Sequence, residues 1–128
     1  MCNLKKLSDD VYVADIKYDY IINIIEQAKK CKGIDKIVLF GSSIDSRCNE
    51  ESDIDIAVYG HKSKSSYLKT KEFKDFHRNL FLYKSDDAQD YDILYFVSDK
   101  NYDDAIMKDI SNGTTIYRRA AIWSWHMD

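Results

Sequence analysis

The feature that most constrains this chain is a pair of short apolar segments, one of them interrupted by carboxylates at alternate positions. Ile37-Val38-Leu39-Phe40 is continuous and apolar, as expected of a strand buried on both faces. In Asp53-Ile54-Asp55-Ile56-Ala57-Val58-Tyr59 the β-branched residues alternate with acidic or small ones, which predicts a second strand over 53–59. A strand repeats every two residues, so Asp53 and Asp55 share a face, roughly 6.5–7 Å apart at Cα. Two carboxylates so placed repel and raise each other's pKa. A positive charge between them relieves this. Mg²⁺, which binds through one or two carboxylates and substrate phosphates, is the obvious candidate.

The residues between the two segments suit the phosphate. Gly41 ends the first strand and lets backbone approach a ligand without a Cβ. Ser42 and Ser43 add hydroxyl donors. A helix starting just after the turn would also aim free N–H groups at an anion. Metal-assisted phosphoryl chemistry usually calls for a third carboxylate. Asp92 supplies it, near the start of a third predicted strand over 91–97, with Asp90 of the same parity as its competitor.

The remaining periodicities fill in a small domain. Tyr18, Ile21, Ile22, Ile25 and Ala28 form an apolar stripe at helical spacing. They predict a helix from about 15 to 32, with Gly33 as its stop. Leu7 to Ala14 reads as a short extra strand or an irregular arm, and 61–71 as a polar, Lys-rich loop. Helices are expected over about 71–83 (Phe73, Phe76, Leu80, Tyr83) and about 102–111 (Ala105, Ile106, Ile110). Thr115-Ile116-Tyr117 is expected as an edge strand. This order reads as an α/β (α+β) fold, a small mixed sheet flanked by helices. One domain is expected over 1–128, with its core at about 15–118 and a tail over 119–128.

Composition narrows the function. With 19 Lys plus Arg against 22 Asp plus Glu, the net charge is −3. The chain therefore lacks the excess cation that general, stable DNA binding requires. No apolar run approaches the roughly 18 residues of a membrane span, and nothing at the N-terminus reads as a signal peptide. Three cysteines (Cys2, Cys31, Cys48) without paired spacing exclude a disulfide scaffold and fit a reducing cytoplasm.

Gly41-Ser42, ten intervening residues and Asp53-Ile54-Asp55 resemble the G-S-x10-D-x-D signature of the minimal nucleotidyltransferases, in the polymerase-beta-like nucleotidyltransferase superfamily. The resemblance extends from about Tyr18 to Tyr117. It implies transfer of a nucleoside monophosphate, AMP if ATP is the donor, to an acceptor, with Mg²⁺ (one ion or two) as cofactor and pyrophosphate released. Residue by residue, Gly41 and Ser42, with Ser43 beside them, match the triphosphate-binding turn. Asp53 and Asp55 match the metal-binding pair. Asp92 matches the third carboxylate, base or metal ligand. Many members carry Ala-Arg-Gly soon after Gly-Ser, where this chain reads Ile44-Asp45-Ser46. The nearest cation, Arg47, is the candidate for that phosphate contact.

Larger transferases of this kind attach helical acceptor-binding domains, for which 128 residues leave no room. The chain is similar to the MNT antitoxins of HEPN–MNT toxin–antitoxin pairs. That implies a HEPN-type ribonuclease toxin as partner, neutralised by adding AMP to a tyrosine or by binding it. The alternatives are a module of this fold that acts by contact alone, and a transferase for a small-molecule acceptor whose site a dimer completes. Lys62, Lys64, Lys69, Lys71 and Lys74 read as a solvated loop rather than a phosphate- or RNA-steering patch. His61, His77 and His126 read as surface or packing residues. Trp123 and Trp125 are either packed on the domain or a partner-binding handle.

Overall fold

The computed structural model describes residues 3–45 and 47–119; Cys2, Trp123, Trp125 and His126 lie outside them. A four-stranded mixed sheet runs β5-β4-β3-β6. Its strands are β3 (Ile34–Phe40), β4 (Ile54–Gly60), β5 (Tyr91–Val97) and β6 (Thr114–Arg118). β3 pairs antiparallel with β4 and with β6, whereas β4 and β5 run parallel. A parallel pair needs a long crossover, and here it holds α2 (Lys64–Tyr67) and α3 (Lys71–Leu82). The fold is α+β, a small mixed sheet with flanking helices, as the sequence leads one to expect.

The two faces of the sheet differ. Ile37 and Leu39 of β3, Ile54, Ile56 and Val58 of β4, and Tyr91, Tyr95 and Val97 of β5 point into the main core. There they meet α1 (Tyr18–Lys29) through Ile21, Ile24 and Ala28, and α3 through Phe73, Phe76 and Leu80. The opposite face carries Val38 and Phe40, Ala57 and Phe96, and is covered by Ile110 of α4 (Ile106–Ser111). α4 is short, so Tyr59 and Leu94 remain only partly buried. Asp55 and Asp92 belong to this thinly covered face by strand parity.

Several boundaries move for identifiable reasons. α1 begins at Tyr18, after a 3-10 turn over Asp15–Lys17, and ends at Lys29. Its most buried stripe is Tyr20, Ile21, Ile24 and Ala28, while Ile22 and Ile25 are only half-buried. Gly33 is not the helix stop. It is needed because a Cβ there would enter the ring of the fully buried Tyr67. β3 starts three residues before the apolar run, with polar Asp35 and Lys36 inside it. β4 extends one residue beyond the predicted 53–59, to Gly60. The expected loop over 61–71 holds α2, capped by Ser63, whose side chain accepts from the Ser66 amide. α4 starts at Ile106, so Tyr102 precedes it; the Tyr102 hydroxyl accepts the amide of Val97. The N-terminal arm is a hairpin of β1 (Leu4–Ser8) and β2 (Val11–Ala14), in a sheet of its own.

Ile56 is fully buried on a central strand. Ile56→Ala is expected to lower stability by roughly 2–5 kcal/mol through lost burial and a residual cavity. Urea unfolding of the two proteins at one pH measures it.

Candidate active site

Backbone register brings two of the acidic residues together. In the parallel β4–β5 ladder Asp55 stands directly opposite Asp92, and across the antiparallel ladder Phe40 stands opposite Asp55. The last residue of β3 and the starts of β4 and β5 therefore meet at one edge of the thinly covered face. Asp53 precedes the regular strand, which begins at Ile54, yet its charge still acts on Asp55. Burial, then Asp92, then Asp53 push the Asp55 carboxyl up to about 6. Asp90 is not among the groups acting on Asp55. Its carbonyl accepts the Ile54 amide at 3.0 Å, so its backbone begins the ladder that carries Asp55 and Asp92.

The turn after β3 lies against this cluster. Gly41 has φ +76, and a Cβ there would strike Oδ2 of Asp55. Both facts demand glycine: the left-handed conformation disfavours other residues, and the carboxylate occupies the space. The residues after it form a single 3-10 turn, Gly41–Ile44, closed by the Asp45 amide donating to the Ser42 carbonyl at 3.2 Å. No α-helix begins here, so the expected helix N-terminus gives way to one turn of backbone. Ser43 is fully buried, and among the described residues its Oγ has no hydrogen-bond partner. Ser42 is half-buried.

A cleft of about 340 Å³ opens beside these residues, lined by Gly41, Arg47, Asp55 and Asp92 together with Asp109 and Asn112 from the end of α4. Ser42, Ser43 and Asp53 are not in its lining. Arg47 is the cation in that lining, and Asp45 engages it: Nη2 lies 2.7 Å and Nε 2.8 Å from Asp45 Oδ2, and the Arg47 amide donates to Oδ1 at 2.8 Å. These contacts hold the Asp45 carboxyl below the usual carboxylate range. The residue at the family's usual arginine position thus becomes a partner for the displaced arginine. The side chain of Arg47 is 76% exposed, so the pair contributes little stability and a phosphate can compete for the guanidinium.

Asp109 and Asn112 were not singled out in the sequence. A six-residue helix carries no motif, and only the return of the chain over the sheet puts its end at the cleft. The lysines of the 62–74 segment are exposed and follow β4, at the opposite end of the strand from Asp55. They do not face the cleft. His61 lies 3.2 Å from Asp35, and His77 stacks on Phe81 at 4.9 Å, roles of packing and surface.

The donor set fits a hard divalent cation, since it consists of carboxylate oxygens whose mutual repulsion a cation relieves. Among the described residues no three His, Cys, Asp or Glu side chains already close into a metal cage.

The family model described as "Polymerase beta, Nucleotidyltransferase" matches residues 22–120. It covers well over half of the chain, which belongs to the polymerase beta nucleotidyltransferase family and is a nucleotidyltransferase domain. A search of curated proteins finds no match. Among the described residues no helix is long and apolar enough to cross a membrane.

The raised Asp55 pKa has a consequence for folding. The unfolded carboxyl titrates near its ordinary value of 3.8, and the folded one is pushed up to about 6. Below both values the group is neutral in either state. As pH rises through the folded pKa, the folded state must accept an unfavourable charge and loses stability. Asp55→Asn is therefore expected to stabilise the metal-free protein at about pH 7.5, by on the order of 1–2 kcal/mol after allowance for solvent screening. It should do little at about pH 3.5, where the carboxyl is already neutral. Denaturant melts at the two pH values test the sign.

Proposed function

We propose that this domain transfers AMP from ATP to a hydroxyl of a partner protein, with Mg²⁺ as its cofactor. The observation that supports this best is the shared register of Asp55 and Asp92, beside a glycine turn into which no side chain fits. Asp53 and Asp55 would hold the metal. When bound, the ion supplies charge neutralisation for the triphosphate and for the oxyanions of transfer. The backbone at Gly41 and Ser42 receives the β- and γ-phosphates, and Arg47 exchanges Asp45 for a phosphate oxygen. Asp92 faces the acceptor and takes its hydroxyl proton as the oxygen attacks the α-phosphorus. The P–O bond to pyrophosphate breaks in the same displacement, so atoms and charge balance.

The acceptor in this reading is a HEPN-type ribonuclease toxin, and the domain is its antitoxin. The support is the similarity of Gly41-Ser42 and Asp53-Ile54-Asp55 to MNT antitoxins. One observation favours a second reading, neutralisation by contact alone. Asp45 already occupies the guanidinium of Arg47, which weakens phosphate binding.

Calorimetry and transfer assays separate the two. With α-labelled ATP, Mg²⁺ and the product of the adjacent gene, the wild type should label the partner. The Asp53→Ala, Asp55→Ala double variant should fall by at least about 100-fold, the scale of lost electrostatic stabilisation. Equal labelling by both would refute the chemistry. Metal-dependent ATP binding supports the enzyme, whereas partner binding without it supports the contact reading. Asp92→Asn should keep ATP binding while losing on the order of 10²–10⁴ in transfer rate, as expected for removal of a general base.

A further inference from the structure

Lys17 stands out because its side chain is charged, 1% exposed and hydrogen-bonded to residues far from it in sequence. A buried ammonium is costly unless fully paired. Its Nζ donates to the carbonyl of Ser52 at 2.8 Å, to the carbonyl of Glu50 at 3.3 Å and to Oε1 of Gln89 at 2.5 Å. An ammonium has three protons, and these three acceptors lie within hydrogen-bonding distance of it. Gln89 closes the network by donating Nε2 to the carbonyls of Ser52 at 3.0 Å and Asp90 at 2.7 Å. The Asp90 carbonyl in turn accepts the Ile54 amide.

Two of the acceptors are backbone carbonyls of the segment that leads into Asp53, and the third is the side chain of Gln89, in the segment that leads into Asp92. Ser52 is bonded to Asp53, and Gln89-Asp90 leads through Tyr91 to Asp92. Asp92 is held by the ladder itself. Asp53 is not, because it precedes the first paired residue of β4. Its backbone emerges from the loop after the glycine turn, where Ser52 donates its amide to Asn49 at 3.1 Å and its Oγ accepts the Asn49 amide at 3.0 Å. Those are bonds within the loop. Lys17 and Gln89 supply bonds that tie its end to segments distant in sequence.

We infer that Lys17, with Gln89, is a positioning residue that fixes the Ser52–Asp53 peptide against the start of β5 and so sets Asp53 in register with Asp55 and Asp92. The idea rests on the proposed nucleotidyl transfer for its consequence, but not for its geometry. Lys17 acts through Asp53 and touches no substrate. A lysine that served only to fill the core would leave the folded protein's metal–nucleotide affinity untouched.

Lys17→Met keeps the length of the side chain and removes its donors. Two readouts are combined: native-state amide exchange, and titration with Mn²⁺·ATP. Exchange at the Ser52 and Ile54 amides is expected to speed up about tenfold or more, the mark of local opening, with Leu39 and Val58 at mid-sheet unchanged. Mn²⁺·ATP should bind about tenfold more weakly to the folded variant, the scale for a lost partner that orients a metal ligand. Unchanged exchange at 52 and 54, or equal acceleration throughout the sheet, overturns the inference. So does unaltered affinity beside a wild type that binds. If Lys17→Met does not fold, Gln89→Leu is read in the same way. A wild type that binds no Mn²⁺·ATP removes the proposed function instead, and the exchange pattern then decides the clamp by itself.

Discussion

Electrostatic repulsion held in place by backbone pairing is the constraint on which this structure turns. The parallel β4–β5 ladder sets Asp55 and Asp92 opposite one another; burial, and after it the charges of Asp92 and Asp53, push the Asp55 carboxyl up to about 6. A fold that minimised its own free energy would place a neutral side chain at one of these positions. The cost is sustained by the main core, where Ile54, Ile56 and Val58 bury the opposite face of the same strand. Period two lets one strand do both: its even-numbered residues from Ile54 to Val58 stabilise, and its odd-numbered Asp55 strains.

The geometry of the cleft follows from two kinds of fixed backbone. One is the ladder itself, which positions Asp55 and Asp92 without help from side chains. The other is a set of particular contacts at its margins: the left-handed Gly41 against Asp55, and Lys17 and Gln89 beneath Ser52. α4 closes the third side and brings Asp109 and Asn112 to the lining. Asp45 and Arg47 stay outside this rigid frame as an exposed pair. The cation nearest the carboxylates is therefore also the element most easily rearranged by an incoming anion.

Much of this was legible in the chain. Alternation in Asp53-Ile54-Asp55-Ile56 marks a strand because β-branched residues on one parity need a core on one side. The stretch Tyr91–Val97 follows the same rule, and its boundaries hold as read. Spacing between Gly41-Ser42 and the two aspartates carries the family, since a turn and a strand start can meet only over a limited loop. What eluded sequence reading lacks local signal. Polar Asp35 and Lys36 extend β3 because it pairs with strands on both sides. The full burial of Ser43 likewise has no local cue. Nothing near Lys17 in the sequence reveals that partners of its side chain lie at residues 50, 52 and 89.

The sequence by itself determined which residues alternate, where glycine interrupts a strand and which carboxylates share a parity, because these are properties of local backbone geometry. Tertiary structure alone decided which strand lies beside which, and in what register. That choice depends on how the α2–α3 crossover packs on the sheet, and it is what sets Asp92 rather than Asp90 against Asp55. It also decided that a buried ammonium would stand under Asp53, since such a charge is tolerable only where three acceptors from distant segments converge.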